Sequence, residues 1–370
     1  MIVGVAREVR YQEYRVGLTP AGCSRLAKDG HQVVIAAGAG RAAGFPDETY
    51  VAHGARVALL NEEVFRQCDL LVKFHAPTEG EVPFLHEGQV LFSSMHLATQ
   101  PDLAQALLDR KVTAIAYETV AAGDRRPIVR PMSEIAGRMA VQVGSQLLVT
   151  AAGGKGVLLG GVTGVPVGNV TILGAGTVGT HAARVADGMG ARVFVLDVDL
   201  DRLARVDEVF GGRVNTLFAD ATNIERHVLS SDLLVGAVAS PGRRTPIVVP
   251  ADLVARMESG SAIVDVSVDQ GGCIETIRPT THGNPTYVHA GIVHYGVPNM
   301  PGAVARTSTL ALTNVTIGYV VALANRGLAA AVRSDPSLAA GLNTHAGMMV
   351  HRTVAEALGL RAEPIDWVLD

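Results

Sequence analysis

Three polar residues beside apolar runs have side chains that could do chemistry. His96 ends the run QVLFSSMH, and a histidine gains or loses its proton near pH 7, so it can serve as a general acid or base. Asp269 lies in VDVSVDQGGC, just before a Gly-Gly turn. Arg15 in YRVGLTP could bind a carboxylate through two parallel N–H groups. These residue types suit proton transfer on a small molecule that carries a carboxylate.

Each of these residues also has a purely structural interpretation. His96 could be a hydrogen-bonded structural histidine, and Asp269 could be an Asx-type turn residue. Arg15 could be a surface arginine. The residues by themselves leave these alternatives open.

The stretch DLLVKFHAP, residues 69–77, adds two basic groups at the end of an apolar strand. If the stretch is extended, its period of two places Lys73 and His75 on the same face. They could line a pocket together, or both could emerge into solvent where the strand ends. The pattern does not choose between these.

A glycine-rich turn between a strand and a helix indicates a dinucleotide site. The strand NVTIL runs into GAGTVG, residues 174–179, which opens the helix THAARVADGMG and is followed by the strand ARVFVL and Asp197. Such glycines allow close approach to a pyrophosphate, and the helix N-terminus offers free N–H groups. Asp197 would accept hydrogen bonds from ribose hydroxyls and repel a 2′-phosphate, which favours NAD over NADP. Arg202 could border the adenine or be a solvated helix charge.

The elements around these residues predict two α/β domains. Residues 1–128 alternate short apolar runs with helical patterns, and the first helix has Thr19 as N-cap and Pro20 at its first position. We predict a substrate and catalytic domain from 1–128 plus 304–370, and an NAD-binding Rossmann domain at 129–303. Both are Rossmann-like, with parallel sheets flanked by helices. Two long helices, near 132–150 and 305–326, would cross the cleft between them.

Composition restricts the partners. The 370-residue chain has a formal net charge of -4 and a pI near 6.3, which gives no electrostatic footprint for nucleic acid or an anionic membrane. Its three cysteines lack the spacing of a zinc site or a disulfide framework. No signal-peptide pattern or run of about 18 apolar residues stands out. We expect a cytoplasmic protein with a small-molecule partner and no metal.

Sequence blocks spread over the whole chain resemble alanine dehydrogenase. They include RVGLTPAG, MHLA, AIAYETV, PMSEIAGRMA, GVLLGGVTGVP, GAGTVG, VDVSVDQGGC, RPTTH, NMPGAVARTST and GLNTH. PMSEIAGRMA and DQGG are shared more loosely with the NAD-binding subunit of proton-translocating transhydrogenase. The resemblance implies NAD-linked interconversion of an L-amino acid with a 2-keto acid and ammonia, by a homohexamer.

The resemblance also assigns roles to individual residues. It implies that His96 and Asp269 are catalytic and that Arg15 and Lys73 bind substrate, with His75 at a substrate-anchoring position. The positions that it assigns to the cofactor are Ser133, Gly174, Gly176, Thr177, Val178, Gly179, Asp197, Arg202 and Asn299.

The chain departs from the family pattern at the substrate anchor. Where the family has Lys-Val-Lys-Glu-Pro, this sequence has KFHAP, so His75 replaces a lysine and Ala76 an acid. A histidine is shorter than a lysine and is mostly neutral at pH 7 in the absence of an anion. A permanent positive charge on the substrate is therefore lost.

Smaller departures lie near the cofactor positions. Ala219 replaces a serine, Ala239-Ser240-Pro241 replaces Leu-Val-Pro, Arg243-Arg244 replaces Ala-Lys, and Pro298 replaces an alanine. Three interpretations follow: an alanine dehydrogenase, a dehydrogenase of the same family with another amino- or imino-acid substrate, and a non-catalytic NAD-binding or transhydrogenase-like protein. Retention of Arg15, His96 and Asp269 argues against the third.

Overall fold

The computed structural model describes residues 1–239 and 244–365. The chain divides into two compact units. Unit 1 contains Met1–Met132 and the chain from Gly302 onward, and unit 2 contains Ser133–Pro301. The sequence predicted these boundaries after residues 128 and 303.

The strands are short, as alternating α/β sequences predict. In chain order they are β1 (Ile2–Val5), β2 (Gln32–Ala36), β3 (Ala55–Ala58), β4 (Leu70–His75), β5 (Val90–Ser94), β6 (Thr113–Ala116), β7 (Asn169–Leu173), β8 (Arg192–Asp197), β9 (Asn215–Phe218), β10 (Leu233–Gly236), β11 (Ala262–Asp265), β12 (Thr286–His289), β13 (Ile292–Tyr295), β14 (Leu342–His345) and β15 (Met348–Met349).

The helices lie between these strands and after β13. They are α1 (Pro20–Lys28), α2 (Asp47–Ala52), α3 (Asn61–Gln67), α4 (Pro101–Asp109), α5 (Arg130–Leu147), α6 (Thr177–Gly188), α7 (Leu200–Phe210), α8 (Ala221–Leu229), α9 (Ala251–Val254), α10 (Ala305–Arg326), α11 (Leu328–Ser334), α12 (Pro336–Gly341) and α13 (Arg352–Leu358).

Unit 1 contains a sheet with the strand order β15-β14-β6-β5-β4-β1-β2-β3. Strands β1 to β6 are parallel to one another, whereas β14 pairs antiparallel with β6 and with β15. The carboxyl ends of β1, β4, β5 and β6 therefore meet along one edge. Ligands of open α/β sheets bind at such edges.

Unit 2 contains a sheet with the order β12-β13-β11-β10-β7-β8-β9, parallel except for the antiparallel hairpin β12-β13. Its neighbouring strands β10, β7 and β8 are mostly apolar and buried, with Thr171 as a buried polar residue in β7, because helices cover both faces of a parallel sheet. The prediction of two α/β units with largely parallel sheets is confirmed, and the antiparallel strands β12, β14 and β15 make both sheets mixed.

Two predicted helix features are also confirmed. The Thr19 side chain accepts a hydrogen bond from the Gly22 N–H at the start of α1, where Pro20 takes the first position. Helix α10 begins and ends at the predicted residues 305 and 326. The sequence predicts the limits of α10 because the apolar pattern contains no proline and a glycine follows Arg326.

The stretch Met300–Arg326, which includes α10, is long and apolar enough to cross a membrane by length and composition alone. In the structure Leu312, Val320 and Leu323 of α10 belong to the buried core of unit 1. The Thr309 hydroxyl also accepts the N–H of Val16. We therefore interpret α10 as a core helix.

Candidate functional site

Arg15 is buried at the edge of the unit 1 sheet, with 1% of its surface exposed, so the surface-arginine alternative is wrong. Its Nε lies 2.7 Å from Glu13 Oε1 and its Nη2 lies 2.5 Å from Glu13 Oε2. The guanidinium also stacks 3.4 Å above the centre of the Phe74 ring. These contacts fix the plane of the guanidinium.

His75 shares the same acid. Its Nε2 lies 2.8 Å from Glu13 Oε2 and 3.4 Å from Arg15 Nη2. Burial raises the pKa of Glu13, but hydrogen bonds from Arg15 and His75 outweigh burial and hold that pKa well below its ordinary value. Glu13 is therefore an anion that joins two predicted substrate-binding residues.

Lys73 is fully buried and has different partners. Its Nζ lies 2.9 Å from Glu81 Oε1 and 3.7 Å from Glu8 Oε2. Burial raises the pKa of Glu8, although Lys73 opposes the shift. The alternative that Lys73 emerges into solvent is wrong, and the structure places this lysine in an internal ion-pair cluster.

An irregularity in β4 separates the environments of Lys73 and His75. Val72 pairs with Phe92 of β5, but the next pair joins His75 to Ser94, so β4 has one residue more than β5 in this interval. A bulge of this kind interrupts strict alternation. The simple period-of-two argument for a common face therefore does not hold across Lys73–His75.

His96 is exposed and lies just after β5, at the carboxyl end of a parallel strand. Its backbone has φ 49° and ψ 42°, the left-handed region that non-glycine residues rarely adopt. The Glu118 carboxylate accepts the N–H groups of Met95 and His96, the latter at 2.5 Å. The Ser94 hydroxyl lies 3.2 Å from His96 Nε2.

Asp269 is exposed in a loop of unit 2 that another aspartate organises. Strand β11 ends at Asp265, because the Asp265 carboxylate accepts the backbone N–H of Ser267 at 2.8 Å and a 3-10 helix follows over Val266–Gln270. Asp265 also accepts the N–H of Cys273 at 2.8 Å. This buried carboxylate closes the loop that carries Asp269, and burial raises its pKa.

The glycine turn of unit 2 has the shape that a pyrophosphate requires. Gly174 has φ +107°, and a Cβ at Gly179 would overlap the Gly174 carbonyl oxygen. A Cβ at Gly176 would meet no atom within 4 Å, so at this position the space beside the backbone is open. The turn leads into α6, whose first residues are Thr177 and Val178.

Asp197 and Arg202 lie beside this turn. Asp197 ends β8, and its Oδ2 accepts the Ala175 N–H at 2.6 Å. The exposed side chain of Arg202 lies 3.1 Å from Asp199 and 4.0 Å from Asp197. The acid and the glycine turn are therefore in contact, as a dinucleotide fingerprint requires.

The other predicted cofactor residues in unit 2 lie in separate segments. Ser133 is in the first turn of α5, and Gly137 of the same helix packs so closely on the Val178 carbonyl that a Cβ would overlap it. Asn299 follows β13 with φ 56°. Ala219 lies next to Asp197, since its N–H donates to the Asp197 carbonyl at 3.0 Å.

Among the departures, Ser240, Pro241 and Arg243 lie outside the described residues. The part of the chain that the structure describes contains no group of three or more His, Cys, Asp or Glu that could hold a metal ion. Arg15, Lys73, His75 and His96 belong to unit 1, whereas Asp269 and the predicted cofactor residues belong to unit 2.

Sequence reasoning missed the acids that position the candidate site residues or the loops that carry them. These are Glu8, Glu13, Glu81, Glu118 and Asp265. One signal was available, because Glu8, Glu118 and Asp265 stand at or just after the carboxyl ends of β1, β6 and β11.

Comparison with known proteins identifies the family. The model of the alanine dehydrogenase/PNT N-terminal domain matches residues 4–136, and the model of the C-terminal domain matches residues 140–352. The chain is 49% identical over 372 residues to a protein of Methanococcus maripaludis named alanine dehydrogenase, with 100% of both chains covered. It is 47% identical over 371 residues to alanine dehydrogenase 2 of Staphylococcus aureus, again with 100% of both covered.

Solved structures agree with the sequence comparison. A structure named L-alanine dehydrogenase matches with a TM-score of 0.94 and 48% identity, covering 97% of this chain and 99% of the other. A transhydrogenase structure from Sinorhizobium meliloti shares the fold, with a TM-score of 0.83 and 23% identity over 95% of this chain and 100% of the other. The resemblance found in the sequence is thus confirmed, and the chain belongs to the alanine dehydrogenase/PNT family.

Proposed function

We propose that this protein is an NAD-dependent amino-acid dehydrogenase that interconverts L-alanine with pyruvate and ammonia. In the oxidative direction L-alanine, water and NAD⁺ give pyruvate, ammonium, NADH and a proton. The observation that carries the proposal is the exposed His96, held by Glu118 in a left-handed conformation at the sheet edge that also carries Arg15. Strained backbone held by several contacts is typical of functional positions.

The residues of unit 1 supply binding and proton transfer. Arg15 binds the substrate carboxylate, and Glu13 holds its guanidinium in one plane. His96 exchanges a proton with the oxygen or nitrogen on the substrate C2. Lys73 acts through its ion pairs, because the buried acids Glu81 and Glu8 engage its ammonium.

The residues of unit 2 bind the cofactor and orient the second reactant. The open space at Gly176, the closely packed Gly179 and the acid at Asp197 fit an NAD molecule. NAD, when bound, accepts or supplies the hydride of the substrate C2. Ser133, Arg202 and Asn299 complete the proposed cofactor contacts. Asp269, in the loop closed by Asp265, orients water or ammonia.

A second candidate function is the same reaction on a different amino or imino acid. The observation that favours it is His75, whose Nε2 is engaged by Glu13 at 2.8 Å. A histidine in this position offers a planar group of shorter reach in place of a flexible ammonium. The non-catalytic alternative has less support because Arg15, His96 and Asp269 are all present.

The test is NADH oxidation with ammonia across a panel of 2-keto acids that includes pyruvate, repeated with NADPH. Pyruvate as the best substrate with NADH supports the proposal. Another keto acid as the best substrate favours the second candidate. Absence of turnover with all of them, in a protein that binds NADH, would favour a non-catalytic protein.

A substitution at the anchor separates the first two candidates further. If His75 selects another substrate, His75→Lys should raise the kcat/KM for pyruvate, relative to that for the substrate the wild type prefers, by about 10-fold or more. If pyruvate is already the preferred substrate, the ratio should stay within about threefold of the wild type.

Assembly and location follow from the family resemblance alone. We propose that the protein is a cytoplasmic homohexamer. Light scattering on the purified protein tests the assembly, because a hexamer of 38.6 kDa chains differs clearly in mass from a dimer or monomer. Cell fractionation tests the location.

A further inference from the structure

The Ser94 hydroxyl connects His96 to Glu118. Ser94 is the last residue of β5, where it pairs with His75 of β4, and its carbonyl accepts the Ala76 N–H at 2.7 Å. Its Oγ lies 3.2 Å from His96 Nε2 and 3.4 Å from Glu118 Oε2. Backbone pairing with β4 therefore fixes the position from which the hydroxyl reaches both groups.

Hydrogen-bond chemistry gives this connection a direction. The Glu118 carboxylate accepts the backbone N–H groups of Met95 and His96, and these bonds fix it as an acceptor. A serine hydroxyl has one hydrogen to donate, and a carboxylate can only accept. When Ser94 donates to Glu118, the remaining bond to His96 requires that Nε2 carries the proton.

We propose that Ser94 is a positioning residue that holds His96 in the Nε2–H tautomer, so that Nδ1 is the atom that exchanges a proton with substrate. In the described residues no hydrogen bond to His96 Nδ1 is present. The relay runs from Glu118 through Ser94 to His96. Its catalytic consequence rests on the proposed function, whereas the tautomer itself does not.

The first test reads the tautomer directly in the full-length protein. Nitrogen-15 NMR of histidine-labelled protein, with the His96 signals assigned by His96→Asn, should show the hydrogen on Nε2 in the neutral ring. Ser94→Ala should add a measurable Nδ1–H population, and Ser94→Thr, which keeps the hydroxyl, should restore the wild-type spectrum. Ser93→Ala is the matched control, because the buried Ser93 Oγ has no hydrogen-bond partner in the described part of the chain.

A second variant reverses the relay. In Glu118→Gln the side-chain amide oxygen can still accept the backbone N–H of His96. The side-chain NH₂ group is then turned towards the Ser94 hydroxyl and donates to it. The hydroxyl must then donate to His96 Nε2, so Nδ1–H should become the major tautomer. An unchanged His96 spectrum in both Ser94→Ala and Glu118→Gln would overturn the proposal, as would Nδ1–H in the wild type.

Steady-state kinetics test the catalytic consequence. Ser94→Ala should lower kcat by roughly 10- to 100-fold, with the KM for NADH unchanged, because general acid-base catalysis contributes about 10²- to 10⁴-fold and the imidazole itself is retained. Ser94→Thr and Ser93→Ala should stay near the wild type. A shifted tautomer with unchanged kcat would overturn the positioning role. Full activity of His96→Asn would instead contradict the proposed function and leave the tautomer result valid.

Discussion

Glu13 binds the guanidinium of Arg15 with both of its carboxylate oxygens, at 2.7 and 2.5 Å. The pair is almost completely buried, and His75 adds a third contact to the same carboxylate. Arg15 is therefore a preorganised group whose orientation depends on a residue two positions before it.

Loss of that carboxylate should weaken substrate binding more than cofactor binding. In Glu13→Gln only one oxygen remains to accept from Arg15, and the neutral amide leaves the buried guanidinium without its counter-ion. We expect the KM for the keto acid to rise by about 10-fold or more, with the KM for NADH unchanged. Glu79→Gln, an exposed change in the same unit, is the control. Equal kinetics in both variants would contradict the role given to Glu13.

The same pair predicts how stability depends on pH. The folded-state pKa of Glu13 lies below its ordinary value of 4.5, because hydrogen bonds from Arg15 and His75 outweigh burial. An acid with a lowered pKa contributes stability that is present above the ordinary value and is lost as the pH falls below it. The Tm difference between wild type and Glu13→Gln should therefore be largest near pH 7 and shrink between about pH 5 and pH 3. A difference that stays constant over this range would exclude the ion pair as its source.

Lys73 should matter mainly for stability. Replacing it by methionine leaves Glu81 and Glu8 buried without a cation, and breaking a buried pair costs about 3–5 kcal/mol. The control is Lys111→Met, which removes an exposed pair with Glu87 worth about 0–1 kcal/mol. Urea unfolding measures both changes in the free energy of unfolding. If Lys73→Met is as stable as the control but has a raised keto-acid KM, the result would contradict this prediction and indicate that Lys73 binds the substrate directly.

The glycine turn allows cofactor binding to be separated from folding. Gly176→Ala places a Cβ where the structure has no atom within 4 Å, so the Tm should stay within a few degrees of the wild type. The methyl group would occupy the space that the pyrophosphate backbone contact needs, and the NADH Kd should rise by at least about 10-fold. Gly188→Ala, at the other end of α6 and equally free of close atoms, should leave NADH titrations unchanged. Equal NADH affinity in both variants would contradict the proposal that Gly176 contacts the cofactor.

Local sequence signals predicted the features that depend on neighbouring residues. The strand, the GAGTVG turn and Asp197 lie within about thirty residues, and their geometry follows from glycine conformations and helix N-terminal dipoles. The start of α1 at Thr19-Pro20 and the end of α10 before Gly327 were also predictable, because helix-capping residues act on the neighbouring turn. Arg15, His96 and Asp269 were singled out by residue type and by their position after apolar runs.

Which acids contact those residues depends on contacts between distant parts of the chain. Glu13 and His75 are 62 positions apart, and His96 and Glu118 are 22 positions apart. They come together because β4 lies between β1 and β5 and because β6 lies beside β5, and strand order is set by packing of the whole sheet. The bulge between Val72 and His75 likewise depends on pairing with another strand. A sequence specifies its charged residues one by one, whereas the low-polarity interior pairs them according to which strands are neighbours.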